Sequence, residues 1–271
     1  MIPRLAYHFG DQNLFRIRGG NDLLPQAMAK VLGKRIVLGA PVVAIDQSGH
    51  RAKVTVKDGR EWSGDFIIST IPSTVLKDVT VTPKWSPRKQ AMFEQMAWGD
   101  TVKVIVQTKT PAWLAKGVHG WPMAGSDRPW ERVIDITGNE KGGFGNVFFF
   151  LNGGNAAAVL KRPRETRAQE IVDQFHEDMP DLFDEVVTVE DYAWSEQPWI
   201  RAALGSPPVG GAWMLGEWAK PEGCIHFAGD FTTSKSGWVE GAIESGLRAA
   251  RQIDPTAKPE AEAGLRQEIA A

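Results

Sequence analysis

Between Gly223 and Ile253 the chain reads Gly-Cys-Ile-His-Phe-Ala-Gly-Asp, then Phe-Thr-Thr-Ser-Lys-Ser-Gly-Trp-Val-Glu-Gly-Ala-Ile-Glu-Ser-Gly, and ends in a short amphipathic helix. An apolar strand that breaks at Gly229-Asp230, followed by a helix start of small residues, is a place where a cofactor can touch backbone. Trp238 at that start is either a core ring or a stacking surface for a cation. Lys103, in Thr101-Val-Lys-Val-Ile-Val-Gln-Thr, points away from Val102 and Val104 by strand alternation. By residue type it is a lysine on a solvated sheet face or at a domain rim. Gly19-Gly20 precedes a helix and leaves backbone open to close approach, although a plain turn explains the pair as well.

Other chemistries find little support. His8, His50, His119, His176 and His226 lack ligand spacing, and no metal site is expected. There is no Gly-x-Ser-x-Gly, no phosphate-binding Walker loop and no convincing nucleophilic triad. The single cysteine, Cys224, excludes an intrachain disulfide and reads as a small side chain in a strand region. A net charge of -2 exerts no long-range pull on nucleic acid or acidic lipid. Lys161, Arg162, Arg164 and Arg167 form a basic patch too mixed with acids for nucleic acid. No stretch reaches the roughly 20 apolar residues that span a bilayer, and no leader is recognisable, so a cytoplasmic location is the default. Eleven Trp and twelve Phe against two Tyr leave rings enough to line an apolar cavity or a subunit contact.

The 271 residues suffice for one large or two modest domains. A helix is expected from Asp22 to Leu32, and short strands at Arg35–Leu38 and Val42–Ile45. Ala52–Lys57 and Glu61–Trp62 flank Asp58-Gly59 as a hairpin. The apolar run from Asp65 to Ile71, stopped by Pro72, suits a strand buried on both faces. Ser86-Pro87 opens a helix to Met96. Thr101–Thr108 and Asn146–Leu151 are strands, Trp113–Gly145 is loop-heavy, and Arg164–Met179 is an amphipathic helix with Ile171, Val172 and Phe175 inward. Glu185–Trp194 is extended, and Glu196–Glu217 is a Gly/Pro-rich connection. Then come a strand at Ile225–Ala228 and a helix at Gly237–Arg251. The tail from Asp254 is polar.

The stretch Gly223–Ile253 closely resembles the C-terminal signature of the flavin-containing amine oxidase superfamily, to which monoamine oxidases and L-amino acid oxidases belong. The resemblance is also good over Gly19–Pro72. It implies an α/β plus α+β fold, a partial Rossmann-like FAD-binding domain interleaved with an amine oxidase-type substrate domain. The implied domains are residues 1–84 and 219–253 for FAD, 85–218 for substrate, and 254–271 as a tail. Carried over by position, Gly19 and Gly20 resemble the internal glycine pair of the FAD domain. Val42 resembles the residue whose backbone meets the adenine. Gly229 and Asp230 look like the glycine-acid pair at the ribityl–pyrophosphate region. Gly237 and Val239 would bring amides to the flavin's pyrimidine edge. Lys103 would hold a water at flavin N5, and Trp238 would be one wall of an aromatic cage for the amine. Leu204 stands where relatives often carry the opposing aromatic, which argues for a bulkier or differently oriented substrate. Trp194 and Trp199 are candidate pocket walls. No cysteine stands at the flavin-tethering position, so FAD is expected to be noncovalent.

The resemblance implies oxidation of a C–N bond to an imine with oxygen as acceptor, giving hydrogen peroxide from an amine or amino acid substrate. Alternatives are an L-amino acid oxidase, an amine dehydrogenase using another acceptor, and a noncatalytic scaffold subunit. A pyrophosphate normally rests on Gly-x-Gly-x-x-Gly after a strand, and the chain has none. The N-terminal dinucleotide-binding half is therefore expected from a second polypeptide, in a hetero-oligomer; the alternatives are that the chain is one product of a cleaved precursor or a truncated piece of a longer chain.

Overall fold

The computed structural model describes residues 17–118, 127–138 and 142–257. His8, His119 and the end of the polar tail lie outside them. Contacts divide the chain into two units. One comprises residues 1–39 and 99–197, the other residues 40–98 and 198–271.

In the first unit, helix α1 (Leu23–Leu32) carries no buried residue. The unit's centre is an antiparallel sheet in the order β10-β7-β9-β8, from strands β7 (Thr101–Thr108), β8 (Arg132–Asp135), β9 (Gly145–Asn152) and β10 (Val186–Ala193). The alternation in β7 sends Val102, Val104 and Val106 into the core beside Val147, Phe149 and Leu151 of β9. Helices α5 (Gly153–Val159) and α6 (Arg164–Asp178) contribute to this core, α6 through Ile171, Val172 and Phe175 at 3.6-residue spacing. Short helix α4 (Ala112–Ala115) adds the fully buried Trp113. At about 1.5–3 kcal/mol for each fully buried large apolar side chain, this layer dominates the unit's stability.

The second unit has a mixed sheet in the order β3-β2-β1-β5. Its strands are β1 (Val42–Asp46), β2 (Ala52–Val56), β3 (Glu61–Gly64) and β5 (Thr80–Thr82). β2 and β3 form the expected hairpin, and β5 runs parallel to β1. Strand β12 (Ile225–Phe227) pairs in parallel with β4 (Ile67–Ser69). A further pair joins β6 (Ala97–Gly99) to β11 (Leu204–Ser206). Helices α2 (Ser73–Leu76), α3 (Pro87–Gln95), α7 (Trp213–Trp218) and α8 (Val239–Ile253) complete the unit. Its core gathers Leu76, Val81, Met92, Met214, Trp218, Ile225 and Phe227. Ser86 caps α3 by accepting from the Lys89 amide, and Glu222 accepts from both the Ser86 amide and its hydroxyl. Buried Lys89 donates from Nζ to the carbonyls of Glu217 (2.6 Å) and Lys220 (2.8 Å), with the Phe227 ring 4.7 Å away. It thereby satisfies acceptors at the end of α7.

Several elements differ from expectation. Arg35–Leu38 is not a strand: Gly33–Arg35 is a single 3-10 turn, because extended propensity without a neighbouring ladder fixes nothing. β4 is not buried on both faces, since Phe66 and Ile68 are exposed. The loop-heavy region after Trp113 contains β8, and the Gly/Pro-rich connection contains β11 and α7. Arg167 does not belong to a surface basic patch; it is buried in an ion-pair cluster.

Candidate active site

The turn from Gly229 to Trp238 is the most tightly built of the expected contacts. Gly229 has φ 127° and ψ 152°, a region essentially reserved for glycine, and a Cβ there would meet the Phe231 ring at 2.5 Å. Its amide donates to the Ser245 hydroxyl (2.8 Å), and its carbonyl accepts from the Thr232 hydroxyl. Arg248, one turn further along α8 than Ser245, donates to the carbonyls of Phe227 and Thr232. The Asp230 carboxylate accepts from the Gly237 amide (2.5 Å) and the Ser236 hydroxyl (3.4 Å). Asp230 therefore shapes the approach to α8. Trp238, the N-cap of α8, has no side-chain acceptor, so the first helical amides lack a side-chain cap. Those amides lie at the positive end of a 15-residue helix, a place that favours negative charge.

The structure brings Gly229, Asp230, Gly237 and Val239 into this one turn. It adds Leu204: a Cβ on Gly237 would stand 2.8 Å from Leu204 Cδ2. Val42 opens β1 in the mixed sheet, and Trp199 is an exposed residue of the connection before β11. Gly19 and Gly20 both adopt positive φ in the turn before α1, with the Gly20 amide donating to Ile17 O. Arg201 is held by Asp78 and the Pro198 carbonyl.

Lys103 and Trp194 lie in the other unit. By register, Lys103 stands between Tyr192 of β10 and Phe150 of β9, on the sheet face opposite the core. Its Nζ lies 5.2 Å from the Phe148 ring centroid and 6.0 Å from that of Phe150. Burial alone pushes its ammonium below the ordinary lysine value, with no charged group contributing. Trp194 packs edge-on against Tyr192 at 4.8 Å between centroids. Both are secured by Arg167, which donates to Asp191 and to Glu196 on either side of them. Sequence reasoning missed Tyr192, Phe148, Phe150, Arg167, Ser245 and Arg248. Alternation could have placed Phe148 and Phe150 on one face, but nothing local marked the partners of Arg167 or Arg248.

Among the described residues no group of three His, Cys, Asp or Glu is close enough to hold a metal ion. No helix among them is long and apolar enough to cross a membrane.

The family model described as flavin containing amine oxidoreductase matches residues 1–254. This chain belongs to that family. It is 27% identical over 251 residues to a flavin-dependent L-tryptophan oxidase of Lentzea aerocolonigenes, covering 89% of this chain and 53% of that protein. It is 26% identical to an L-amino acid dehydrogenase of Synechocystis, covering 88% and 50% of the two chains. Against human flavin-containing amine oxidase B the identity is 28%, covering 87% and 46%. The chain thus spans about half the length of these curated relatives. Its fold is that of putrescine oxidase, with TM-score 0.78, 24% identity and coverage of 87% and 53%. Cyclohexylamine oxidase from Brevibacterium oxydans IH-35A gives TM-score 0.76, 19% identity and coverage of 87% and 52%. Both likenesses carry the two-part α/β architecture with its mixed and antiparallel sheets.

The family's flavin fits what is present. The Gly229 backbone excludes a side chain, and the first amides of α8 carry no side-chain cap.

Proposed function

We propose that this chain is part of an FAD-dependent oxidoreductase that oxidises a C–N bond to an imine, with oxygen as acceptor. The observation that carries this reading is the Gly229–Trp238 turn, held by Ser245 and Arg248 and delivering uncapped amides at the start of α8. When bound, FAD would take two electrons from the amine and pass them to oxygen as hydrogen peroxide. Val42, Gly229 and Asp230 would contact the dinucleotide, Gly19 and Gly20 would admit close backbone approach, and Gly237 and Val239 would stabilise negative charge at the pyrimidine edge. Residues 1–84 and 219–253 would form the FAD domain and residues 85–218 the substrate domain. Lys103 would hold a water beside the ring through its ammonium. Trp238 would wall the amine on one side while Leu204, in place of a ring, leaves room on the other; Trp194 and Trp199 would line the pocket. With no cysteine at the tethering position, FAD would be held noncovalently.

Native protein purified with whatever co-purifies would show a flavin spectrum, release FAD to the supernatant on denaturation, and form peroxide with amines. A colourless native assembly would overturn the reading. Dye reduction without oxygen uptake would replace the oxidase with a dehydrogenase, the activity named for the Synechocystis relative. The Lys103→Met variant should retain flavin and slow the oxygen-dependent half of turnover about 100-fold, the order of magnitude for losing one positioned donor. Stopped-flow reoxidation measures this.

A second polypeptide would supply the Gly-rich turn for the pyrophosphate. The support is the absence of Gly-x-Gly-x-x-Gly after a strand within these 271 residues. A stable flavin-loaded species composed of this chain alone, seen by light scattering, would exclude it. Function in the cytoplasm is part of the same proposal.

A further inference from the structure

A cleft of about 830 Å³ opens between α2, β5 and α3, built wholly from residues 73–98 of the second unit. That volume lies in the range of small-molecule sites. None of the residues assigned above to flavin or amine lines it. Its apolar surface comes from Trp85, Phe93 and Trp98, each partly exposed, beside the buried Met96. These rings are fixed before any ligand arrives. Phe93 meets Trp85 edge-on at 5.3 Å between centroids and leans on the fully buried Trp218 at 5.1 Å. Trp98 packs on Phe231 at 5.7 Å, and its indole N–H donates to the Ser73 hydroxyl (2.8 Å). A preorganised apolar surface loses little side-chain entropy when a ligand covers it. The lining also has a sign. Lys77 and Lys84 bring two ammonium groups to it, and Glu94 is its single acid among the described residues. Glu94 accepts from Gln90 (2.6 Å), and Asp78, next to Lys77 in the chain, is paired with Arg201. Neither lysine forms a salt bridge among the described residues. A cation entering the cleft would meet net positive charge, whereas an anion would meet two flexible ammonium side chains beside aromatic surface.

We propose that this cleft is a second ligand site, separate from the flavin turn, that takes an amphiphilic carboxylate: apolar body against Trp85, Phe93 and Trp98, anionic head at Lys77 and Lys84. The inference does not rest on the amine-oxidising reading, because a carboxylate without an amine is no substrate for that chemistry and its binding is read without turnover.

Calorimetric titration of the native protein, with whatever co-purifies, tests it with decanoate and decyltrimethylammonium, both kept below their micellar concentrations. The two probes share a chain and differ in the sign of the head. Decanoate should bind at least about tenfold tighter than the cation. The double variant Lys77→Gln/Lys84→Gln should narrow that gap about three- to tenfold, the range expected for losing two exposed charge contacts. Thr80→Trp tests the cleft itself. Thr80 is an exposed residue of β5 in the lining, so a ring there fills the space and should weaken decanoate about tenfold or more. Unchanged melting temperatures separate recognition from folding, and the lysine variant decides alone if the tryptophan variant fails to fold. Absence of decanoate binding, equal binding of the cation, or a gap that the lysine variant leaves intact would overturn the proposal. Decanoate binding to a colourless assembly would keep this site while refuting the flavin reading.

Discussion

Gly229 and Arg167 show how differently two site residues reveal themselves. The glycine is legible in the sequence because a strand that breaks at Gly-Asp before a helix requires special backbone, and its φ of 127° supplies the reason. Gly229→Ala should cost about 1–3 kcal/mol from backbone strain, with further loss from the clash with Phe231. Denaturant titration gives the first quantity, and flavin content of the purified variant tests the proposed contact of this turn with the cofactor. Arg167 looked like one of several arginines at the start of a helix. It is 1% exposed, and its guanidinium, hydrogen-bonded by Glu196 and Asp191, is held above the ordinary arginine value. Arg167→Ala leaves Asp191 buried without its cation and should destabilise the chain by about 3–5 kcal/mol. A loss below about 1 kcal/mol in chemical denaturation would show that water reaches the cluster.

The secondary structure followed local rules where local rules had content. β7, β9, α3, α6 and α8 sit close to their expected limits, because valine alternation, a Ser-Pro cap and 3.6-residue periodicity are properties of contiguous residues. The short strands β5, β6, β8 and β11 were invisible, since three or four residues carry too little pattern and depend on a distant partner for their ladder. α3 illustrates how an element couples to its surroundings. Ser86 is both its cap and the anchor for Glu222, 136 residues away. Ser86→Ala should therefore cost about 1 kcal/mol for the cap, plus a smaller loss from the hydroxyl's bond to Glu222, which keeps its bond to the residue 86 amide. The urea midpoint should fall, and Ser86→Asp should fail to recover it, because the new carboxylate would face Glu222.

Long-range connections also determine how stability responds to pH. Desolvation lowers the Lys89 ammonium to about 8, against the pull of Glu217 and Glu222, with Lys220 pushing it down further. Between about 8 and the unfolded lysine value near 10.5, the unfolded chain binds more protons at this site than the folded one. Stability from Lys89 should therefore be flat below about pH 8 and rise as pH climbs toward 10.5. Denaturant midpoints across that window should rise in the wild type relative to Lys89→Met, which lacks the titrating group; parallel curves would exclude this linkage. What the residues settled in advance were the glycine-acid turn, the family it resembles and the side of β7 on which Lys103 lies, because backbone conformation and periodicity are written in neighbours. What surrounds Lys103, what Arg167 holds and why Lys89 is buried were decided by tertiary packing. Their partners lie 24 to 131 residues away or on adjacent strands, and periodicity names a face without naming what comes to lie against it.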